Sequence, residues 1–412
     1  MWPGRIALFL LLTLLLVACG AVPNQPTPTP PIDPDAQAAQ PVELLANLNR
    51  SCATEYSPDI DYFPEKVSVQ YADGWTIEYF NNYKVITVLT PWRGAEETFQ
   101  YVLVQCGTPA PSGYGDAPMI EVPVNSMISM STTYLPHFEA LEVLDRLTGV
   151  DNADFIYSPA VLDALATANV PTVGSGPDLD LERVLDIEPN VVMTFAIGSP
   201  DTDTHPQLTA AGVPVVINAD YMETSPLGRA EWVKFTAALF NRERSAENLF
   251  ERVAEEYNDL AALADTAEQR PTVFTEAPFQ GIWYLPGGES YAATLLADAG
   301  AAYLWAEDAS TGSLALDFEV VYEQALTADY WLNPGIWTSR EEMLEADERF
   351  GDFAAFQNGN VYNATSRTTP AGGNDYREGG VLNPQLILAD LISIFHPDLL
   401  PDHELFYFER VQ

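Results

Sequence analysis

Asp180-Leu181-Glu182-Arg183-Val184-Leu185, followed by Pro189-Asn190-Val191-Val192, predicts a short helix that begins at an acidic residue and delivers the chain into a buried strand. Asp317-Phe318-Glu319-Val320-Val321-Tyr322, followed by Ala328-Asp329-Tyr330-Trp331, repeats the plan in the second half. Each run is acidic, then apolar, then Glu. Two lobes built on one pattern would give this repeat, and so would coincidence over so short a run.

The surrounding sequence has the rhythm of an α/β layer with parallel strands. Before the first motif, Ile120 to Val124 reads as a strand. Tyr134 to Leu147 reads as a helix, with Leu135, Phe138, Leu141, Leu144 and Leu147 at three-residue spacing. After it come strands at Val191 to Phe195 and Val213 to Ile217, with a helix ending at Leu208 to Ala211. A long helical stretch follows, Arg229 to Phe240 and Ala246 to Leu263, which Asn241 to Ser245 kinks or divides. From Pro271 the strand–helix alternation resumes, through Val273 to Thr275, Trp283 to Leu285, Tyr291 to Ala299, Tyr330 to Leu332 and a last helix over Leu382 to Phe395. The fold class expected is α/β: two Rossmann-like lobes joined by a long backbone helix, with a small N-terminal β meander.

The meander is read from alternation in Val67 to Tyr71, Trp75 to Tyr79, Val85 to Val88 and Tyr101 to Val104, with Asp73-Gly74 and Asn81-Asn82 as turns. Cys52 and Cys106 bracket it. Outside the cytoplasm an even pair predicts a disulfide, worth roughly 4 kcal/mol for a loop of this length; the alternative is two buried thiols.

Compartment is read from the N-terminus. Arg5 precedes an apolar run, Ile6 to Ala18, of 13 residues. That is too short to span a bilayer and suits a signal peptide. Leu16-Val17-Ala18-Cys19-Gly20 resembles the lipobox of bacterial lipoproteins, which implies cleavage before Cys19 and a lipid on its sulfur. Ala21 to Pro41 holds seven prolines and would extend as a tether of roughly 60 Å. The organisation expected is therefore a signal peptide over 1–18, a lipid-anchored linker over 19–41 and a β-rich extension over 42–115. An N-terminal lobe over 116–225, an inter-lobe helix over 226–268 and a C-terminal lobe over 269–412 complete it. The expected location is extracytoplasmic, on a bacterial membrane.

The chain has 412 residues, with 59 acidic and 18 basic side chains and a net charge of −41. So negative a surface repels phosphate backbones, which excludes nucleic acid as a partner.

Val173-Gly174-Ser175-Gly176-Pro177, running through the first motif to Val192, resembles a stretch shared by ABC-importer binding proteins for ferric siderophores and cobalamin. So does Ala211-Gly212-Val213-Pro214-Val215-Val216. Pro226-Leu227-Gly228-Arg229-Ala230-Glu231-Trp232 and the tail Phe395 to His403 are similar to an iron-complex branch of that family. The resemblance spans roughly Met119 to Val411. It implies two α/β lobes with a ligand in the cleft between them and delivery to an ABC permease. It also implies that Glu182 and Glu319 dock on permease arginines. The partners expected are an iron chelate (ferric siderophore or similar), the permease and a membrane, with the protein itself a monomer. Cobalamin or haem, and direct transition-metal binding, are the alternatives of the same class; a secreted hydrolase is the alternative from another.

Loops at the carboxyl ends of parallel strands are where such a cleft takes its ligand. The hydroxyl-rich turn Ser129, Ser131, Thr132, Thr133 is one candidate contact, or simply a helix cap. Tyr157 and Ser175 form a second edge. Trp283 and Tyr284 could face a flat ligand or pack in the core. Arg367, Tyr376 and Arg377, in a Gly-rich loop, could meet an anion or pair with a carboxylate. No Gly-x-Ser-x-Gly, Walker, His-Glu-x-x-His or Cys-x-x-Cys motif is present. The four histidines do not have metal-ligand spacing, and neither an enzymatic activity nor a resident cofactor or metal is expected.

Overall fold

A computed structural model of the chain describes residues 43–335 and 337–412. The signal peptide, Cys19 and the proline-rich linker lie outside the described residues.

The first sheet holds β1 (Trp75–Tyr79), β2 (Tyr83–Val88) and β3 (Phe99–Gln105), antiparallel and in sequence order. The fourth strand, β4 (Met119–Val122), lies parallel to β3 on this same sheet. The strand expected to open the N-terminal lobe thus completes the extension instead. Cys52 and Cys106 are disulfide-bonded, their Cα atoms 4.8 Å apart.

Val67 to Tyr71 is not a strand, despite its alternation. Its backbone donors go to a side chain: the N–H groups of Gln70, Tyr71 and Ala72 donate to the Glu231 carboxylate at 3.0, 2.7 and 2.8 Å. Asp73 and Gly74 N–H donate likewise to Glu223, 3.0 Å each. A segment whose donors are satisfied this way has no need of a sheet neighbour.

The next sheet is fully parallel: β5 (Met127–Ser129), β6 (Leu147–Val150), β7 (Val191–Thr194) and β8 (Val215–Ile217), in spatial order β6-β5-β7-β8. Its strands are apolar on both faces, as a covered parallel sheet requires. Helices α1 (Leu135–Ala140), α2 (Pro159–Ala168), α3 (Leu181–Ile187) and α4 (His205–Ala210) surround it. Val184 of α3 and Leu208 of α4 close one face with Ile128, Val192 and Val215. The helix expected over Tyr134 to Leu147 ends at Ala140. Glu142 takes a left-handed φ of 56° and Leu147 opens β6, so the later leucines of that spacing serve a turn and a strand.

The long helical stretch is two helices, α5 (Pro226–Phe240) and α6 (Glu243–Ala264), rather than one inter-lobe helix. Asn241 separates them at φ 55°, and Arg242 N–H closes the end on Ala237 O at 3.0 Å. Lys84 of β2 fixes this corner. Its buried ammonium donates to Glu243 at 2.6 Å, Asn241 Oδ1 at 2.8 Å and Ala238 O at 2.6 Å.

The second lobe begins with β9 (Thr272–Thr275). An antiparallel patch follows, made of β10 (Pro278–Phe279), β11 (Ile282–Pro286) and, after α7 (Tyr291–Asp298) and β12 (Ala302–Tyr303), β13 (Ser313–Asp317). Then come α8 (Phe318–Ala325), β14 (Tyr330–Leu332), α9 (Arg340–Ala346), α10 (Ala354–Gln357), β15 (Val361–Asn363), α11 (Gly379–Leu382), α12 (Pro384–Phe395) and β16 (Glu409–Arg410). The main sheet has order β12-β9-β14-β15-β16, with β16 alone antiparallel.

Both parallel sheets therefore place their strands in the order second, first, third, fourth. The motifs around Glu182 and Glu319 occupy one and the same place, the helix just before the third strand. In each sheet the order reverses between the first and third strands, and ligands bind at that reversal, beyond the carboxyl ends.

Candidate functional site

Ser129 ends β5, and the chain turns sharply into helix. Ser131 Oγ accepts from Thr133 N–H at 3.3 Å and shares a 3.0 Å hydrogen bond with Thr133 Oγ1. The turn thus caps its own helix, and it aims Thr133 at a cavity of about 190 Å³. Thr133 lines one wall. Tyr291 and Leu295 of α7 line another, and Tyr376, Arg377 and Val381 a third. Arg229 of α5 lies at its base, above Pro226.

All residues of α5 but Arg229 are buried. The helix has no polar face to spare, so its one accessible side chain is the guanidinium at the cavity. That guanidinium stacks over the Tyr291 ring, 4.3 Å from the centroid, and donates to Asp220 at 3.1 Å. Its Nε is buried and has no partner.

Glu276 follows β9 and Asn333 follows β14, the two strands that flank the reversal. Both take left-handed φ values, 64° and 52°, which non-glycine residues adopt at a cost and which cluster at functional sites. Burial pushes the Glu276 carboxyl up to about 7, and the neighbouring Arg377 opposes that rise. Arg377 lines the cavity and Glu276 does not, so the carboxyl acts on the site through Arg377.

A further cavity of about 330 Å³ lies beside α11, lined by Tyr157, Arg367, Asp375, Glu378 and Glu139. Arg367 is ion-paired to Asp375 at 2.6 Å and lies 5.1 Å from the Tyr157 ring centroid. Here the lobes meet: the buried Glu378 carboxylate accepts from Tyr157 N–H at 2.7 Å and Ser158 N–H at 2.9 Å.

The residues expected at the site divide accordingly. Thr133, Tyr376 and Arg377 converge on the first cavity, and Tyr157 and Arg367 on the second. Ser129 is buried, with its hydroxyl donating to Ser131 O. Ser131 is a cap, and Thr132 is half-buried next to it. Ser175 is exposed and lines neither cavity. Trp283 is corrected to a core residue: it is fully buried, and its Nε1 donates to Thr275 O at 2.9 Å. Alternation on β11 sends Tyr284 the other way, to the exposed face of the patch. Arg229, Tyr291 and Glu276 were not expected. No signal in the sequence sets Arg229 apart from Glu231 and Lys234 on the same helix.

Glu182 and Glu319 are exposed, each in the first turn of its helix; Arg349 approaches Glu319 at 3.7 Å. Among the described residues no group of three or more His, Cys, Asp or Glu is gathered for a metal ion, and no helix is long and apolar enough to cross a membrane.

Comparison with known proteins bears on this geometry. A family model described as periplasmic binding protein matches residues 127–368, more than half of the chain. It starts where β5 starts, so the first sheet lies outside it. The uncharacterized lipoprotein MJ0878 of Methanocaldococcus jannaschii is 27% identical over 299 residues, covering 70% of this chain and 69% of its own. A second uncharacterized lipoprotein of that organism, MJ0872, is 25% identical over 327 residues, with 76% and 80% covered. A possible iron-binding (periplasmic solute-binding) protein from Staphylococcus epidermidis has a similar fold, with TM-score 0.52 at 16% identity, over 66% of this chain and 99% of that one. A periplasmic heme binding protein from Pseudomonas aeruginosa gives 0.51 at 18%, over 70% and 98%. Two like-ordered parallel sheets facing a shared cavity, and a family match that covers most of both, lead to one conclusion: the chain belongs to the periplasmic binding protein family.

Proposed function

We propose that this protein is the solute receptor of an ABC importer, tethered outside the cytoplasm by a lipid on Cys19, and that it captures an anionic iron chelate between its lobes. The observation that carries the reading is the pair of guanidiniums at the cleft. In a chain of net charge −41 the long-range field repels anions, so a site for one needs local cations. Arg229 presents a buried, unpartnered Nε. Arg377 has no carboxylate within 4.0 Å among the described residues. Two guanidiniums disfavour a bare divalent cation and suit carboxylate, catecholate or hydroxamate oxygens around a metal. Tyr291 and Tyr376 add flat faces for the organic part of a chelate.

Several proteins of similar fold are described as iron-binding or heme binding, or as part of an Fe3+-hydroxamate transport system; the last, from Saccharomonospora viridis, has TM-score 0.50 at 19% identity, over 66% of this chain and 94% of that one. The cavity is small for such a ligand, so the lobes part to admit it and close around it. Glu182 and Glu319 start helices at equivalent places in the two lobes, at the carboxyl-end face where the cleft opens. Two carboxylates held apart in this way would orient the receptor on a basic permease surface.

Calorimetric titration with ferric catecholates, ferric hydroxamates, haem, cobalamin and free Mn²⁺ or Zn²⁺ tests the reading. Saturable binding of one chelate, weakened by Arg377→Ala, is the expected result. Binding of free metal alone, or turnover of an ester substrate, would replace it. Reversal of Glu182 and Glu319 to lysine should abolish uptake while leaving solute binding unchanged.

A further inference from the structure

The segment 89–98, between β2 and β3, belongs to the first sheet, yet two of its adjacent residues reach both lobes. Trp92 packs on His205 at the start of α4, with ring centroids 5.7 Å apart, and on Phe99 at 5.8 Å. Its indole also lies against Gly198, where a Cβ would stand 2.6 Å from Trp92 Cδ1. Gly198 sits at φ 79° in the loop leaving the carboxyl end of β7. The buried Asp203 carboxylate holds that loop by the N–H groups of Ile197, Gly198 and Ser199, at 2.9, 2.9 and 3.0 Å. Trp92 therefore rests on a rigid edge of the first lobe.

Arg93 reaches the second lobe. A Cβ built on Gly312, just before β13, would overlap its guanidinium. Gly312 O accepts from Gly287 N–H at 2.6 Å, and the turn after Gly287 leads into the start of α7, where Tyr291 enters the cleft. The Arg93 charge is also near enough to act on Tyr221, the neighbour of Asp220, which holds Arg229. One dipeptide thus touches loops of both lobes: the loop beyond β7 in the first, and in the second the residue paired with the turn that leads to Tyr291.

We infer that Trp92 and Arg93 form a strap across one end of the inter-lobe cleft and set the length of solute that the cleft admits. This rests on the reading that the cleft binds a solute. The two ends of the strap differ in strength. Trp92 is half-buried in aromatic packing, whereas Arg93 is exposed and lies against backbone. When the lobes part, the strap stays with the first lobe and releases the second. A solute that overruns the cleft at this end meets the strap, and a short anionic end group meets the Arg93 guanidinium. The first sheet lies outside the family match over 127–368, so the strap is an addition to the shared core.

The test uses the full chain and two variants, Arg93→Ala and Gly312→Ala. The second places a methyl where the guanidinium rests and works from the opposite lobe, leaving the first sheet untouched. Without ligand, amide exchange in 287–291 and 308–313 should rise about threefold or more in both variants, with β1 to β3 unchanged. Unchanged exchange in both segments overturns the strap. The binding arm uses a ferric tricatecholate and the same chelate lengthened by a dansyl-hexyl tail. The native chain should prefer the short form by about tenfold, and the variants should reduce that to about threefold or less. A preference unaltered by both variants overturns the size role. If neither chelate binds the native chain, the proposed cargo fails, while the exchange measurement still decides the strap.

Discussion

Arg229 and Asp220 form a 3.1 Å ion pair at the head of α5, and the pair leaves Arg229 Nε buried and without an acceptor beside the cleft. An unmet buried donor costs about 1–3 kcal/mol. A ligand oxygen that reaches it when the lobes move would recover that cost on binding, so part of the affinity is stored in this donor.

Arg229→Lys tests this storage. Lysine keeps the charge and can still reach Asp220, but it has no second N–H in a fixed plane to offer the ligand. Chelate binding should weaken about tenfold or more by calorimetry, with a melting temperature close to native. Retained affinity would show that charge alone matters at this position.

The carboxyl that neighbours Arg377 carries a pH dependence. Burial raises the Glu276 carboxyl to about 7, above the value it takes in the unfolded chain. The folded state therefore holds a proton that the unfolded state has lost, and stability falls as pH rises from about 4.5 through 7. Glu276→Gln removes the ionisation. Urea unfolding should show the variant matching the native chain near pH 5 and exceeding it at pH 8, by on the order of 2 kcal/mol. An ionised Glu276 also competes with an anionic solute for Arg377, so native affinity should rise as pH falls through 7 and the variant should lose that slope.

How the chain discloses itself differs between elements. The strand–helix alternation was legible because buried parallel strands are short apolar runs, as at Val191 to Thr194 and Tyr330 to Leu332; the sheet order was not, since β5 and β6 are too short to stand out from a turn and a helix end. Helix α5 was legible as helix but not as the site, because a helix buried all round has no moment to read and Arg229 stands beside Glu231 and Lys234, which are buried away from the cavity. Val67 to Tyr71 misled because alternation reports which side chains are apolar, not where backbone donors go; Glu231 lies some 160 residues away. Trp283 and Tyr284 are adjacent in sequence and opposite in fate, and only the register of β11 on β13 decides which turns inward.

The corner where the first sheet joins the helices rests on a buried charge. Lys84 and Glu243 are both fully buried and 2.6 Å apart. Burial drives the Lys84 ammonium down from its ordinary value, and Glu243 opposes that. Removing one partner strands the other, so Glu243→Ala or Lys84→Met should each cost about 3–5 kcal/mol in urea unfolding. The double variant should cost clearly less than the sum, since no lone charge remains. Simple additivity would mean that the two side chains act through packing alone.

The contact between the lobes yields to a similar argument. The Glu378 carboxylate takes two backbone donors, from Tyr157 and Ser158, across the lobe boundary. Burial raises its carboxyl, and the two N–H groups pull the other way, while Asp375 and Glu139 add to the rise. Glutamine in its place offers one oxygen and turns an NH₂ group toward the second donor, so one hydrogen bond is lost and one N–H is left facing another. Glu378→Gln should therefore loosen the Tyr157–Ser158 edge without unfolding α2, whose first turn keeps the Ser158 cap on Val161 N–H. Amide exchange at Tyr157 and Ser158 should quicken about tenfold, the equivalent of about 1.4 kcal/mol, with α2 beyond its first turn unchanged. A bound chelate should leave faster by a similar factor, because the latch opens before the cleft does. Faster exchange without faster release would place the opening at the other contact between the lobes, that of Trp92 and Arg93.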